Sequence, residues 1–134
     1  MAKLATVYDG PQHCVALDAA KGKAVAMDCP YTGRGEELSP GELLEAALGG
    51  CMLIAMGALA QREGIDLTGT RVEVETETSP PPKIVLSSVR VDVTMPKGLD
   101  ASQRTKLERA SDSCPIKHAF SEKIAVTVSF HYPD

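Results

Sequence analysis

A chain of 134 residues has room for one domain built on one hydrophobic core, and a net charge of −4 argues against a nucleic-acid or anionic-membrane surface. Aromatic residues make up only 4% and Trp is absent, so the core is expected to be aliphatic and made of small side chains. Four widely spaced cysteines (Cys14, Cys29, Cys51 and Cys114) do not form a disulfide framework, and the mixed, polar opening MAKLATVYDG predicts a cytoplasmic chain without export leader or membrane anchor.

Three short strands come first. Leu4–Tyr8, His13–Leu17 and Lys23–Met27 are separated by turns at Asp9-Gly10-Pro11 and Lys21-Gly22, which reads as a β-meander. Cys14 and Cys29 fall in this region, as a small buried group and a strand-end residue. Residues 30–38 (PYTGRGEEL) form a loop with a glycine on each side of Arg34, the only arginine ahead of the next element.

That element is a long helix over Ser39–Gly64. Ser39 suits the N-cap, Pro40 the first helical position, and Glu42 completes a capping box. Leu44, Ala47, Leu48, Cys51, Ala55 and Ala58 share one face, while Leu43, Met52, Ile54, Met56 and Leu59 make the other faces apolar too. A helix greasy nearly all round is buried. At roughly 18 apolar-leaning residues it approaches a membrane span, but its glycines, alanines and polar flanks favour a central helix of a water-soluble fold. Gly49-Gly50, directly before Cys51, costs about 1 kcal/mol per glycine relative to alanine, which suggests a close approach by another backbone or a substrate.

Gly64 ends the helix. Thr70–Thr78 alternates as a half-exposed strand with Val72 and Val74 inward, and three prolines (Pro80, Pro81, Pro82) break it. Ile84–Thr94 is the next strand, with Val89, Val91 and Val93 inward, paired with the first as an antiparallel hairpin. Asp100 and Gln103 form a capping box for a surface helix over Ala101–Ser111. A second, short helix is expected from Cys114, capped by Ser113, and Ile124–Tyr132 closes the chain as a strand.

The order predicts an α+β fold, one domain over residues 1–134, with the long helix packed on a mostly antiparallel sheet. One sheet covers one side of a helix, and this helix is apolar on more than one side. A homodimer is therefore expected, the second copy supplying the other wall.

Two cysteines have settings with chemical meaning. Cys114 at a helix N-terminus, with Lys117 nearby, is expected to have a lowered pKa. Cys51 sits mid-helix in apolar surroundings, where a thiolate needs a cation brought by the fold or the partner. Arg34 is the best candidate, with Glu42, or Glu45 as second choice, to hold its guanidinium by a bidentate pair. Taken alone, a mid-helix cysteine is more often core packing, and Glu42 more often a cap. His118, four after Cys114, is a candidate base, but no third residue is visible to orient it for hydrolase chemistry. No C-x-x-C or H-x-x-x-H pair supports a metal site.

The sequence S-P-x-E-L-L-x-A-A-L-G-G-C (Ser39 to Cys51), followed by C-P-I-K-H-A-F (Cys114 to Phe120), resembles the OsmC/Ohr family of osmotically inducible and organic-hydroperoxide-resistance proteins. The resemblance implies an intertwined homodimer, with two central helices wrapped by two sheets. It also implies a thiol peroxidase without metal or flavin. Cys51 would attack an organic hydroperoxide and become a sulfenic acid, Cys114 would close a disulfide with it, and a lipoyl-type or thioredoxin-like dithiol would restore both. Arg34 and Glu42 would assist by position in the loop and helix start. The hydroperoxide-resistance members carry glutamate directly after the proline; here Gly41 stands there and Glu42 follows, closer to the OsmC-like branch. The competing reading keeps the fold as a redox-sensing or non-catalytic module that binds an apolar ligand at the dimer interface.

Overall fold

The computed structural model describes residues 3–134. Its elements are β1 (Ala5–Gly10), β2 (His13–Asp18), β3 (Lys23–Asp28), α1 (Pro40–Glu63), β4 (Arg71–Thr78), β5 (Leu86–Thr94), α2 (Ala101–Asp112), a single 3₁₀ turn (Lys117–Ala119) and β6 (Ala125–His131). The chain is α+β as expected, but its strands form two three-stranded sheets, β1-β2-β3 and β4-β5-β6, instead of one. It divides into two compact units, Met1–Leu44 and Glu45–Asp134.

The first unit holds the antiparallel meander, with Val7 opposite Val15 and Val15 opposite Ala26. β1 runs two residues further than its pattern predicts, through a bulge between Tyr8 and Gly10. The tight turn therefore falls at Pro11-Gln12, where Gln12 takes the left-handed backbone (φ 57°) and donates its N–H to Tyr8 Oη at 3.0 Å. Val7 and Leu17 lie exposed on one face of the sheet, Tyr8 and Val25 on the other.

In the second unit the antiparallel register sets Val72 against Val93 and Val74 against Val91. β5 then pairs β6 in parallel, Val91 against Val128. The alternation within each strand carries no sign of this parallel pairing. It arises from the connection, because parallel strands need a crossover of a dozen or more residues, and α2 provides it.

The core sits between this sheet, α1 and α2. Leu48, Met52, Met56 and Ala60, one helical turn apart, bury against Val89, Val91, Val93, Met95, Leu99 and Leu107. The remaining faces of α1 are not covered in the single chain: Ala47 and Ala58 are exposed, and Ile54 is 76% exposed. By length and composition α1 could cross a membrane, yet here its central stripe is packed against protein.

Hydrogen bonds fix both ends of this helix. Ser39 N–H donates to Glu42 Oε1 (3.0 Å) and Glu42 N–H to Ser39 Oγ (3.1 Å), which is the expected capping box. At the other end Gly64 turns left-handed (φ 67°) and the Ile65 N–H reaches back to the Ala60 carbonyl. Glu45 Oε2 accepts the Thr76 N–H (3.0 Å) and the Thr76 hydroxyl (3.1 Å), so this carboxylate ties α1 to edge strand β4. At the C-terminus, Tyr132 donates its hydroxyl to Glu108 while the Arg104 guanidinium lies over its ring, 4.2 Å from the centroid.

Candidate functional site

Cys51 lies one residue off the buried stripe of α1 and is half-buried against the core. Cys114 is fully buried, at 0% exposure, just beyond the end of α2. Ser113 closes α2 by returning its N–H and hydroxyl to the Ala110 carbonyl at 3.1 and 2.6 Å, and the Cys114 N–H bonds to the Ser111 carbonyl. Ser113 is thus a C-cap and not the expected N-cap. Beyond Cys114 the chain makes one 3₁₀ turn, too short to build the macrodipole expected of a helix.

The thiol of Cys114 is shifted opposite to the sequence expectation. Burial pushes its pKa up, and the neighbouring Cys51 side chain pushes it the same way. The backbone N–H groups of Lys117, 3.4 Å from the sulfur, and Ile116 pull more weakly in the other direction. The fold therefore brings the two sulfurs together and keeps the proton on Cys114.

Lys117 and His118 point away from this pair. Lys117 Nζ is paired with the Asp112 carboxylate, and His118 Nε2 sits 2.5 Å from the Asp112 carbonyl. Neither supplies the charge or the base that their spacing from Cys114 predicts.

Beside the pair, Gly49 and Gly50 have separate roles. A Cβ on Gly49 would lie 3.4 Å from Val72 Cγ1, so the glycine lets α1 settle onto β4. Gly50 opens onto a groove of about 440 Å³ lined by Glu45, Ala46, Leu53, Val72 and Val74.

Arg34 and Glu42 belong to the first unit. Arg34 is on the loop between β3 and α1, and among the described residues no side chain pairs with it. Glu42 spends one carboxylate oxygen on the capping box.

One residue escaped the sequence reading. Cys29 Sγ accepts the Thr32 hydroxyl (3.3 Å) and the Thr32 N–H (3.5 Å), and with the N–H groups of Tyr31 and Gly33 these pull its pKa down to about 7. A threonine three residues after a cysteine, behind a proline, was the signal available. Iodoacetamide is expected to alkylate Cys29 with a midpoint near pH 7, slowing below it as the thiolate is protonated. Thr32→Val should move that midpoint towards the ordinary thiol range, while buried Cys114 stays unlabelled at neutral pH. Peptide mapping against pH checks both, and an ordinary midpoint for Cys29 would refute the first.

Among comparisons with known proteins, the family model described as OsmC-like protein matches residues 33–129. A structure from Psychrobacter arcticus, named for an osmotic stress and detoxification response, superposes with a TM-score of 0.88 at 27% identity, covering 98% of this chain and 96% of that one. An organic hydroperoxide resistance protein from Elizabethkingia anophelis gives 0.74 at 14% identity, covering 98% and 97%. The organic hydroperoxide resistance protein OhrB of Bacillus subtilis gives 0.70 at 17%, covering 97% of each chain. No curated protein matches the chain in sequence.

Proposed function

Because this chain belongs to the OsmC-like protein family, we propose that it is a thiol-dependent peroxidase that reduces organic hydroperoxides through Cys51 and Cys114. The observation that carries the reading is that Cys51, on α1, packs against the core beside buried Cys114, beyond α2. In the first step the Cys51 thiolate attacks the outer peroxide oxygen. The O–O bond breaks, the alkoxide takes up a proton and leaves as alcohol, and Cys51 holds the oxygen as a sulfenic acid. In the second step Cys114 gives up its proton and attacks the Cys51 sulfur, and the hydroxyl leaves as water. A small dithiol, lipoyl-type or thioredoxin-like, then reduces the disulfide by two exchanges and is itself oxidised.

The burial of Cys114 supports this division of labour, since the thiol that keeps its proton is suited to the second step. Arg34 is assigned to hold the Cys51 thiolate by its charge, and Glu42 to assist it with the carboxylate oxygen not used in the cap. The apolar groove beside Gly50 favours an alkyl or aryl hydroperoxide over hydrogen peroxide. The working unit is a cytoplasmic homodimer of one-domain chains. Exposed Ile54 and Ala58 on α1, and apolar side chains on both faces of the β1-β2-β3 sheet, are the surfaces a second copy would cover.

The experiment is consumption of cumene hydroperoxide with dihydrolipoamide present, followed by mass spectrometry of the peroxide-treated protein. A Cys51–Cys114 cross-linked peptide and catalytic turnover are expected. No consumption by the reduced protein would discard the peroxidase and leave the reading of a fold that binds an apolar ligand.

A further inference from the structure

The groove beside Gly50 lies wholly within the second unit and has one charged wall. Ala46, Leu53, Val72 and Val74 line it with alkyl groups, and a Cβ on Gly50 would meet nothing within 4 Å, so the helix leaves it open there. Glu45 is the only titratable residue in the lining.

The Glu45 carboxylate is held in place. Its Oε2 accepts the Thr76 N–H at 3.0 Å and the Thr76 hydroxyl at 3.1 Å, which pins the group to β4. Among the described residues its Oε1 accepts no hydrogen bond, and no Lys, Arg or His forms an ion pair with Glu45. The other charges of β4, at Arg71, Glu73, Glu75 and Glu77, alternate to the opposite face of the strand, where Arg71 meets Glu73 and Arg90 meets Glu75.

The result is a half-buried, oriented carboxylate without a counter-ion at the side of an apolar groove. Water screens a charge in such a place less than an exposed one. An anion entering the groove meets it with nothing to offset the repulsion, and a buried ion without a partner is costly. A hydrogen-bond donor, by contrast, finds Oε1 as its acceptor, while an alkyl chain covers the two valines, Ala46 and Leu53. A volume of about 440 Å³ is that of a small-molecule site.

We propose that this groove is a binding site for an apolar chain that ends in a hydrogen-bond donor and carries no negative charge, with Glu45 as the residue that sets the selectivity. The site deepens the peroxidase reading by naming the kind of organic group the groove admits, and rests on that reading only for what the bound chain is used for.

The test uses the full reduced chain and Nile red, a neutral fluorophore, displaced by 1-decanol or by decanoate. Wild type is expected to bind decanol in a saturable way and more tightly than decanoate. Glu45→Gln, whose amide oxygen can still accept from Thr76, is expected to lower the ratio of decanol to decanoate affinity roughly tenfold, the size of one screened like-charge contact. Ala46→Lys adds a cation to the same lining without touching the Thr76 bonds and should lower the ratio too; it carries the comparison if Glu45→Gln melts too low to assay. Gly50→Leu puts a side chain into the open space and should abolish saturable decanol binding. A ratio unmoved by Glu45→Gln, or by Ala46→Lys in its place, overturns the role of Glu45. Decanol binding that survives Gly50→Leu, or no saturable binding by wild type, overturns the site. Every readout is made without hydroperoxide, so failure of the site and failure of the peroxidase are told apart.

Discussion

Cys51→Ser is expected to lower organic hydroperoxide consumption by roughly three orders of magnitude or more, the scale on which loss of a nucleophile is felt in enzymes. Cys114→Ser is expected to behave differently: one equivalent of peroxide is consumed per chain, and then turnover stops. The reason lies in the protons. Cys114 is buried beside Cys51, and that burial holds its proton in place. A serine hydroxyl buried at this place is also neutral and no larger, so the first step survives. The second step needs a sulfur nucleophile at position 114, and without it the Cys51 sulfenic acid persists. Dimedone labelling of Cys51 after one equivalent of peroxide measures this directly. The raised pKa of Cys114 adds a pH signature in the wild type: its thiolate fraction grows as pH rises, so disulfide closure should accelerate with pH after the peroxide step is complete. Sustained turnover by Cys114→Ser would remove Cys114 from the mechanism.

The largest stability effect is expected at Met52. Its side chain is completely buried, in the middle of the stripe that α1 packs onto the β4-β5-β6 sheet. Met52→Ala removes transfer free energy and leaves a cavity that the surrounding valines and Leu107 fill only in part, so a loss of about 2–5 kcal/mol is expected. Urea unfolding should show a lower midpoint with an unchanged slope. Ile54, two residues away and 76% exposed, is the control. Ile54→Ala should leave the stability of the single chain within about 0.5 kcal/mol. Ile54→Asp should weaken association of two copies, read by sedimentation at several concentrations. A Met52→Ala protein as stable as wild type would mean the stripe is not the core.

Much of this protein was legible from residue pattern alone because its signals are local. The capping box at Ser39 and Glu42, the left-handed stop at Gly64 and the inward valines at 89, 91 and 93 involve neighbours a few positions apart, and each is found as read. The two motifs that carry Cys51 and Cys114 were legible in the same way. Relations between distant segments were beyond the reach of the sequence. The parallel pairing of β5 with β6 depends on how α2 crosses the sheet, and periodicity within a strand is blind to its partner's direction. Cys114 looked like the activated thiol because a helix start favours an anion. Only the packed structure decided otherwise, by burying that sulfur beside Cys51 and reducing the helix to one turn, so that desolvation outweighs the few N–H groups left to oppose it. Hydrogen bonds from one residue to its near neighbours are written in composition and spacing; the burial that sets the charge state of a group is a property of the whole fold.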